Sequence, residues 1–326
     1  MTIEKYGEWR LINIIFEKIS KFKNVALPYG DDASAITIPF ESRLLVINTD
    51  MLVASTDVPP GMNYWQVGRK ATVMCISDLA AKGAEPKFLL FSLGLKRNMR
   101  LKEFKELIDG LNDGAQEYGA YIIGGDTNEA YDLIISGTAI GFAKRVVSRR
   151  GAKEGDLVAV TGFFGETSAG LKILLENFDA PKNIKLQLLK SVYMPKAHVK
   201  EGIVLANSNA ISSSIDSSDG LAISLYTLAE QNNVGFKIHT LPISKYARKF
   251  SELHNLDPFE LTFYGGEEYN LIVTIKRGKV KEAMKAIKSV GGKLILIGEV
   301  IKEKKVIYID RGKERIIEKK GWEHFQ

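Results

Sequence analysis

The sequence predicts a mixed α/β protein built as two successive halves, and three observations carry that reading. Its 326 residues suit two units of roughly 150 residues better than one core. Both halves interleave short β-branched or alternating apolar runs with stretches of helical spacing. The character changes once, at SRRGAKEGDLVAVTG, where Arg149, Arg150 and Gly151 precede a Lys-Glu-Gly turn and a fresh strand. The expected division is residues 1–148 and 149–326.

Taken in order, MTIEKYGEWRLINIIFEKI has helical spacing and reads as an amphipathic helix. ASAITI, RLLVINT, FLLFSLGL, AYIIGG and LIISGTAIGFA read as strands. Two helices fall between them, from about Tyr64 to Lys82 and from about Leu101 to Tyr118. The first half is therefore expected to be a mixed sheet with two covering helices. In the second half DLVAVTG is a strand, GETSAGLKILLE a helix, and further helices run to about Ser208. SSSIDSSDG is a short strand and turn, and LAISLYTLAEQ a helix. VGFKIH, YNLIVTI, KLILIGEV and KVIYID are strands, with VKEAMKAIKSV a helix among them.

The composition, 45% hydrophobic and 26% charged, is that of a soluble globular protein. The formal charge of +6 does not mark a nucleic-acid binder. The basic clusters KRVVSRR, KRGKVKEAMKAIK and KEKK interleave with apolar residues and read as solvated faces. Cys75 is the only cysteine, so no internal disulfide can form; within ATVMCISDLAA it reads as a core residue. No run approaches the ~18 apolar residues of a membrane span, and the N-terminal stretch has no small-residue cleavage site. A cytoplasmic protein without membrane or nucleic-acid partners is expected.

The basic average hides an acidic anomaly. Asp31 and Asp32 lie in YGDDAS, Asp50 in INTDM, Asp78 in CISDLAA, Asp126 in IIGGDTNE, and Asp216 and Asp219 in SIDSSDGL. Any one of these reads as a cap or a turn residue. As a set they ask for more. INTD and IIGGD follow apolar strands, so their acids are expected at sheet ends. Asp78 falls in a strongly apolar helix, a poor place for an unpaired charge. Convergent carboxylates need cations, and no histidine or cysteine cluster stands beside them, so the donor set is all oxygen. That favours Mg²⁺ over zinc or copper, and Mg²⁺ usually brings substrate phosphates. IIGGDT lets backbone N–H groups approach an anion, and GFFGETSAGL opens a helix whose N-terminus could hold phosphate. A GxxxxGK[ST] loop, a GxGxxG turn and the kinase HRD and DFG sets are all absent, so an ATP enzyme here uses another scaffold.

Read together, GDDA, NTDMLV, SDLAAKGA, IGGDT, SRRGAKEGD, IDSSDGL, GGEEY and a terminal KGWEHF resemble the thiamine-monophosphate kinase family, within the aminoimidazole ribonucleotide synthetase superfamily. The resemblance implies an N-terminal mixed sheet that closes a barrel across a homodimer and a C-terminal α/β sandwich domain. It implies ATP as co-substrate, several Mg²⁺ ions, and direct in-line conversion of thiamine monophosphate to the diphosphate. The acceptor phosphate oxygen is already ionised, so no catalytic base is expected. Carried over by position, Asp32, Thr49, Asp50, Asp78, Asp126 and Asp216 would hold metal, with Asp219 close by. Gly125, Asp126, Arg149 and Ser218 would touch ATP, with Tyr118 a further nucleotide contact. Glu267 and Trp322 would meet the thiamine side. Asp57 stands where many relatives have histidine; it either attracts the cationic thiazolium or serves as a turn residue before Pro59. Asn48 replaces a common serine, and GGED reads GGEE. Asp31 is expected to shape its loop while Asp32 faces the metal. The alternatives are another ATP-dependent enzyme of the superfamily, aminoimidazole ribonucleotide synthetase first, or a non-catalytic nucleotide-binding module.

Overall fold

A computed structural model describes residues 26–27, 31–37 and 42–323. The helix expected at the N-terminus lies outside them, as do the last residues of the KGWEHF ending. The first half forms a five-stranded sheet from β1 (Ser34–Thr37), β2 (Leu44–Val53), β3 (Glu85–Leu95), β4 (Tyr121–Glu129) and β5 (Ile134–Ala143). Their order is β1-β2-β5-β3-β4, with only the β3–β4 pair parallel. Asp50 and Asp126 therefore lie inside strands and not at their ends. The glycines of IIGGD do not stop β4, because its ladder with β3 continues from Tyr121 to Glu129. Gly125 is needed in that ladder: a Cβ there would stand 2.0 Å from the Phe91 carbonyl oxygen.

The helix Tyr64–Lys82 is the axis of the molecule. Asn63 and Gln66 start it with a reciprocal capping box, and Gly83 ends it in the left-handed conformation at φ 74°. The helix Leu101–Glu117 crosses it at backbone contact; a Cβ on Gly110 would stand 2.0 Å from Trp65 O, and one on Gly68 2.3 Å from Leu107 O. The axial helix lies against β2, β3 and β5 on one side and the second half on the other. That double contact explains why it is buried on nearly every side. Ile76 and Leu79 are completely buried, each contributing about 2 kcal/mol. Three basic residues of this helix are buried as well. Arg69 pairs with Glu117 and donates to Pro195 O at 2.7 Å. Lys70 pairs with Glu267, and Lys82 donates to Ser214 O at 2.8 Å. Each reaches a residue of the second half.

That second half holds a seven-stranded sheet of β6 (Leu157–Val160), β7 (Ile211–Asp216), β8 (Gly235–Ile238), β9 (Leu271–Ile275), β10 (Ile295–Ile301), β11 (Val306–Asp310) and β12 (Lys313–Ile316). The order is β12-β11-β8-β10-β6-β9-β7, and only β11 and β8 run parallel. The helix Leu221–Asn232 covers one core with Phe236, Phe263 and Ile272. A smaller core joins Ala169, Ile173, Leu188, Phe250 and Leu261. Two helices were not anticipated, Lys245–His254 and Pro258–Phe263. Their caps were nevertheless written in the chain: Ser244 accepts from Ala247 N, and Asp257 accepts from Phe259 N just before a first-turn proline. The strand β12 was also missed, since KERI is exposed throughout and lacks apolar alternation.

Candidate active site

Carboxylate oxygens of Asp32, Asp78 and Asp216 all lie within 4.8 Å of one another. They come from the loop before β1, the axial helix and the end of β7, so both halves are needed to assemble them. Each acid is aimed by a neighbour. Ser77 Oγ donates to Asp216 Oδ2 at 2.6 Å, and Asn48 Nδ2 donates to Asp78 Oδ2 at 2.8 Å. Asp32 is completely buried; Arg149 Nε donates to its Oδ1 at 2.7 Å, and Lys82 Nζ stands 2.6 Å from its Oδ2.

Asp31 turns away from this cluster and builds its loop. It accepts from Lys82 Nζ (2.6 Å), Ser148 Oγ (2.7 Å) and the Arg149 and Asp32 backbone N–H groups (3.0 and 2.9 Å). The neighbouring carboxylates are thus held apart by a shared ammonium, as a loop-shaping role for Asp31 requires. Burial works against the Asp31 charge, but Lys82, Ser148 and the Arg149 N–H together outweigh it and hold the carboxyl below its ordinary range. Burial also opposes the Lys82 charge, and Asp32 and Asp31 together reverse it, raising the ammonium.

Asp78 and Asp216 are different. Burial pushes the Asp78 carboxyl well up, and the charges of Asp216, Asp32 and Asp50 push it further. Burial followed by the charge of Asp32 lifts Asp216 to about 6. Four acids therefore feel one another here, and Lys82 and Arg149 are the buried cations that touch Asp32. The arrangement is short of positive charge and offers oxygen donors alone.

A cavity of ≈ 600 Å³ opens beside the acids and is lined by Asp50, Asp57, Ser218, Asp219, Glu267 and Trp322 among others. One wall is the single helical turn Ala54–Asp57, closed by the Val53 N–H on Asp57 Oδ2 at 2.6 Å. Asp57 thus serves its turn with one oxygen while bordering the cavity. The opposite wall is the GGEEY loop, where Glu267 and Tyr269 sit at φ 60° and 52°, the left-handed region that costs a side-chain-bearing residue energy. Glu267 N donates to Ser218 O at 2.6 Å, which fixes that strained backbone over the SSDG turn. Trp322 N donates to Asp219 O at 3.0 Å and lays the C-terminal segment along the rim.

Other expected residues lie elsewhere. Along β2 the buried Asn48 and Leu52 alternate with the exposed Thr49 and Met51, so the Thr49 side chain points away from the acids. Its hydroxyl donates to Gly137 O at 2.9 Å. Asp126 is exposed on the edge strand β4, and with Gly125 it lines a separate cleft of ≈ 310 Å³. Tyr118 accepts from Ala197 N at 2.9 Å and is raised to about 12 by burial. Arg149 is mostly buried against Asp32, so the solvated-face reading of KRVVSRR fails at that residue. The helix N-terminus in GFFGETSAGL already has an anion-shaped partner. Glu268 Oε1 accepts from Gly165 N at 2.7 Å and Thr167 N at 3.2 Å, in the place expected for phosphate. Lys70, Lys82, Ser77 and Glu268 were missed; two lysines inside an otherwise apolar helix were the available signal.

The family described as AIR synthase related protein matches this chain through its N-terminal domain at residues 30–143 and its C-terminal domain at residues 153–311. Thiamine-monophosphate kinase of Pyrococcus horikoshii is 37% identical over 311 residues, 94% of each chain. That of Nitrosopumilus maritimus is 36% identical over 282 residues, covering 86% of this chain and 89% of the relative. The chain belongs to the thiamine-monophosphate kinase family. A solved structure of AaThiL complexed with AMPPCP and TMP superposes with a TM-score of 0.86 at 28% identity, covering 99% of both chains. The hydrogenase maturation protein HypE of E. coli, at 23% identity and a TM-score of 0.71, shares the fold alone. Membership of the thiamine-monophosphate kinase family accounts for the two-sheet architecture. Among the described residues no helix is long and apolar enough to cross a membrane.

Proposed function

We infer that this chain phosphorylates thiamine monophosphate to thiamine diphosphate, using ATP and releasing ADP. One observation carries the reading: a cluster of converging carboxylates adjoins, through Asp50 and Ser218, a cavity rimmed by Glu267 and Trp322, in a chain that matches AaThiL complexed with AMPPCP and TMP over 99% of its length. An indole at the rim suits a flat heteroaromatic ring, and Glu267 suits a cationic one.

The acids fit Mg²⁺, because they converge in an all-oxygen set in which burial first, and neighbouring carboxylates after it, lift Asp78 and Asp216. Asp32, Asp50, Asp78 and Asp216 would hold it, with Asp219 adjoining. Bound there, it supplies the positive charge that lets two phosphate-bearing substrates approach and offsets charge on the departing ADP. The chain's own part is positional. Arg149 and Lys82 hold Asp32 in place, Ser77 and Asn48 aim Asp216 and Asp78, and Ser218 joins the cavity to the acids. No protein base is required, since the acceptor is a phosphate oxygen.

The proposal extends to a homodimer. The face of the first sheet turned away from the axial helix and its edge strand expose Met51, Phe88, Tyr121 and Ile123, more apolar surface than a solvated sheet face usually carries. A second copy covering it would close a shared barrel and enclose Thr49, Gly125 and Asp126. A cytoplasmic setting accords with the single buried cysteine.

The deciding experiment supplies ATP, Mg²⁺ and thiamine monophosphate and follows thiamine diphosphate. Product that depends on all three supports the reading. A Mg²⁺ titration yielding none, with the aminoimidazole ribonucleotide synthetase substrate turned over instead, would refute it.

A further inference from the structure

Lys70 spans the two walls of the cavity. Its side chain is 0% exposed, its Nζ donates to the Asp57 carbonyl oxygen at 2.5 Å, and it pairs with Glu267 Oε1. Asp57 belongs to the turn after β2 in the first half, and Glu267 to the loop before β9 in the second. A buried ammonium is costly unless partners surround it, so its geometry is imposed on both. Glu267 sits at φ 60°, with Oε1 turned to Lys70. Glu267 and Asp57 both line the ≈ 600 Å³ cavity, while Lys70 stands behind them.

We propose that Lys70 is a positioning residue for the acceptor substrate: it sets the spacing of the two cavity walls and fixes the Glu267 carboxylate where it borders the cavity, for a cationic ring. This rests on the reading of the activity given above. The lysine charge does not itself face the ligand. It occupies one carboxylate oxygen, so that the pair presents its negative end to the cavity. The acid cluster and its nucleotide side are held by other residues, Lys82 and Arg149, so Lys70 acts on one substrate and not on both.

The test is the kinetics of Lys70→Met against both substrates. The expected result is a KM for thiamine monophosphate raised about tenfold, with the KM for ATP and the Mg²⁺ dependence changed less than about twofold. Lys70→Met/Glu267→Gln should bind thiamine monophosphate no worse than Glu267→Gln alone, because the two residues act as one unit. Lys70→Arg is the second variant, should the methionine variant fail to fold. It keeps the charge but cannot place a point donor between the Asp57 carbonyl and Glu267, so the same selective rise is expected. Equal losses for ATP and thiamine monophosphate, additive effects in the double variant, or an unchanged KM in folded Lys70→Arg would overturn the proposal. Wild-type enzyme that fails to phosphorylate thiamine monophosphate would instead overturn the underlying activity.

Discussion

Ser77 donates its hydroxyl to Asp216 at 2.6 Å, and this hydrogen bond joins the axial helix to β7 across the two halves of the chain. The acids on either side of it are lifted first by burial, then Asp78 by the charge of Asp216 and Asp216 by that of Asp32. Neither half alone holds the cluster, so the site exists only where the two halves meet.

Asp78→Asn should separate activity from stability. The amide keeps an oxygen for Asn48 but removes a charge that Asp216, Asp32 and Asp50 oppose. Turnover is expected to fall by roughly 100-fold or more, while the thermal midpoint in metal-free buffer stays level or rises. Activity assays and calorimetry on one preparation check both signs. A folded variant with near-normal turnover would remove Asp78 from the metal set.

Lys82→Met should be the most damaging single change near the site. It strips the ammonium shared by Asp31 and Asp32, both completely buried. A loss of about 3–5 kcal/mol is expected, since two buried carboxylates lose a partner. Adding Asp31→Asn should recover part of it in urea unfolding, because one of the stranded charges disappears.

Glu268 gives the protein a pH signature. Burial lifts its carboxyl from 4.5 to about 8. An acid raised in the folded state stabilises it fully below the unfolded value, and that stability is lost as pH climbs to the folded one. The contribution should therefore fade between roughly pH 4.5 and pH 8, by at most about 5 kcal/mol. Glu268→Gln retains an oxygen for Gly165 and Thr167 and should flatten the stability profile across that window. An unaltered slope would show that another group sets it.

Trp322→Ala should raise the KM for thiamine monophosphate by roughly fivefold to tenfold, the loss expected of one aromatic contact. The KM for ATP should hold, since the indole lines the cavity rim and not the acid cluster. Steady-state kinetics with each substrate varied in turn would separate these effects.

Much of this was legible in the chain. A long helix-like stretch placed the axial helix and apolar runs the long strands, and acids in unlikely places marked Asp32, Asp78 and Asp216, whose carboxylates converge, and Asp50, whose charge acts on them. What escaped notice was the positive charge. Lys70, Lys82 and Arg69 look like any surface basic residue until the helix is found to be enclosed on both sides, because burial is a tertiary property that one helix cannot declare. Asp50 and Asp126 were expected at strand ends for a similar reason. A polar residue after an apolar run reads as a stop, yet the ladder between β3 and β4 shifts register at Ile123 and continues past the glycines to Glu129. The phosphate expected at Gly165 was a sound reading of a helix N-terminus, but Glu268, about a hundred residues later, answers it.

Cys75 is 1% exposed on the axial helix, and burial together with the charges of Asp50 and Asp78 raises its thiol well above the ordinary value. A thiol so held forms almost no thiolate, and the chain has no other cysteine to compete with it. The protein thereby carries its own chemical clock. A maleimide can reach the sulfur only when the helix lifts from its sheet, so the labelling rate counts openings of the acid cluster. Substrates that close the two halves together should slow that clock without any engineered probe.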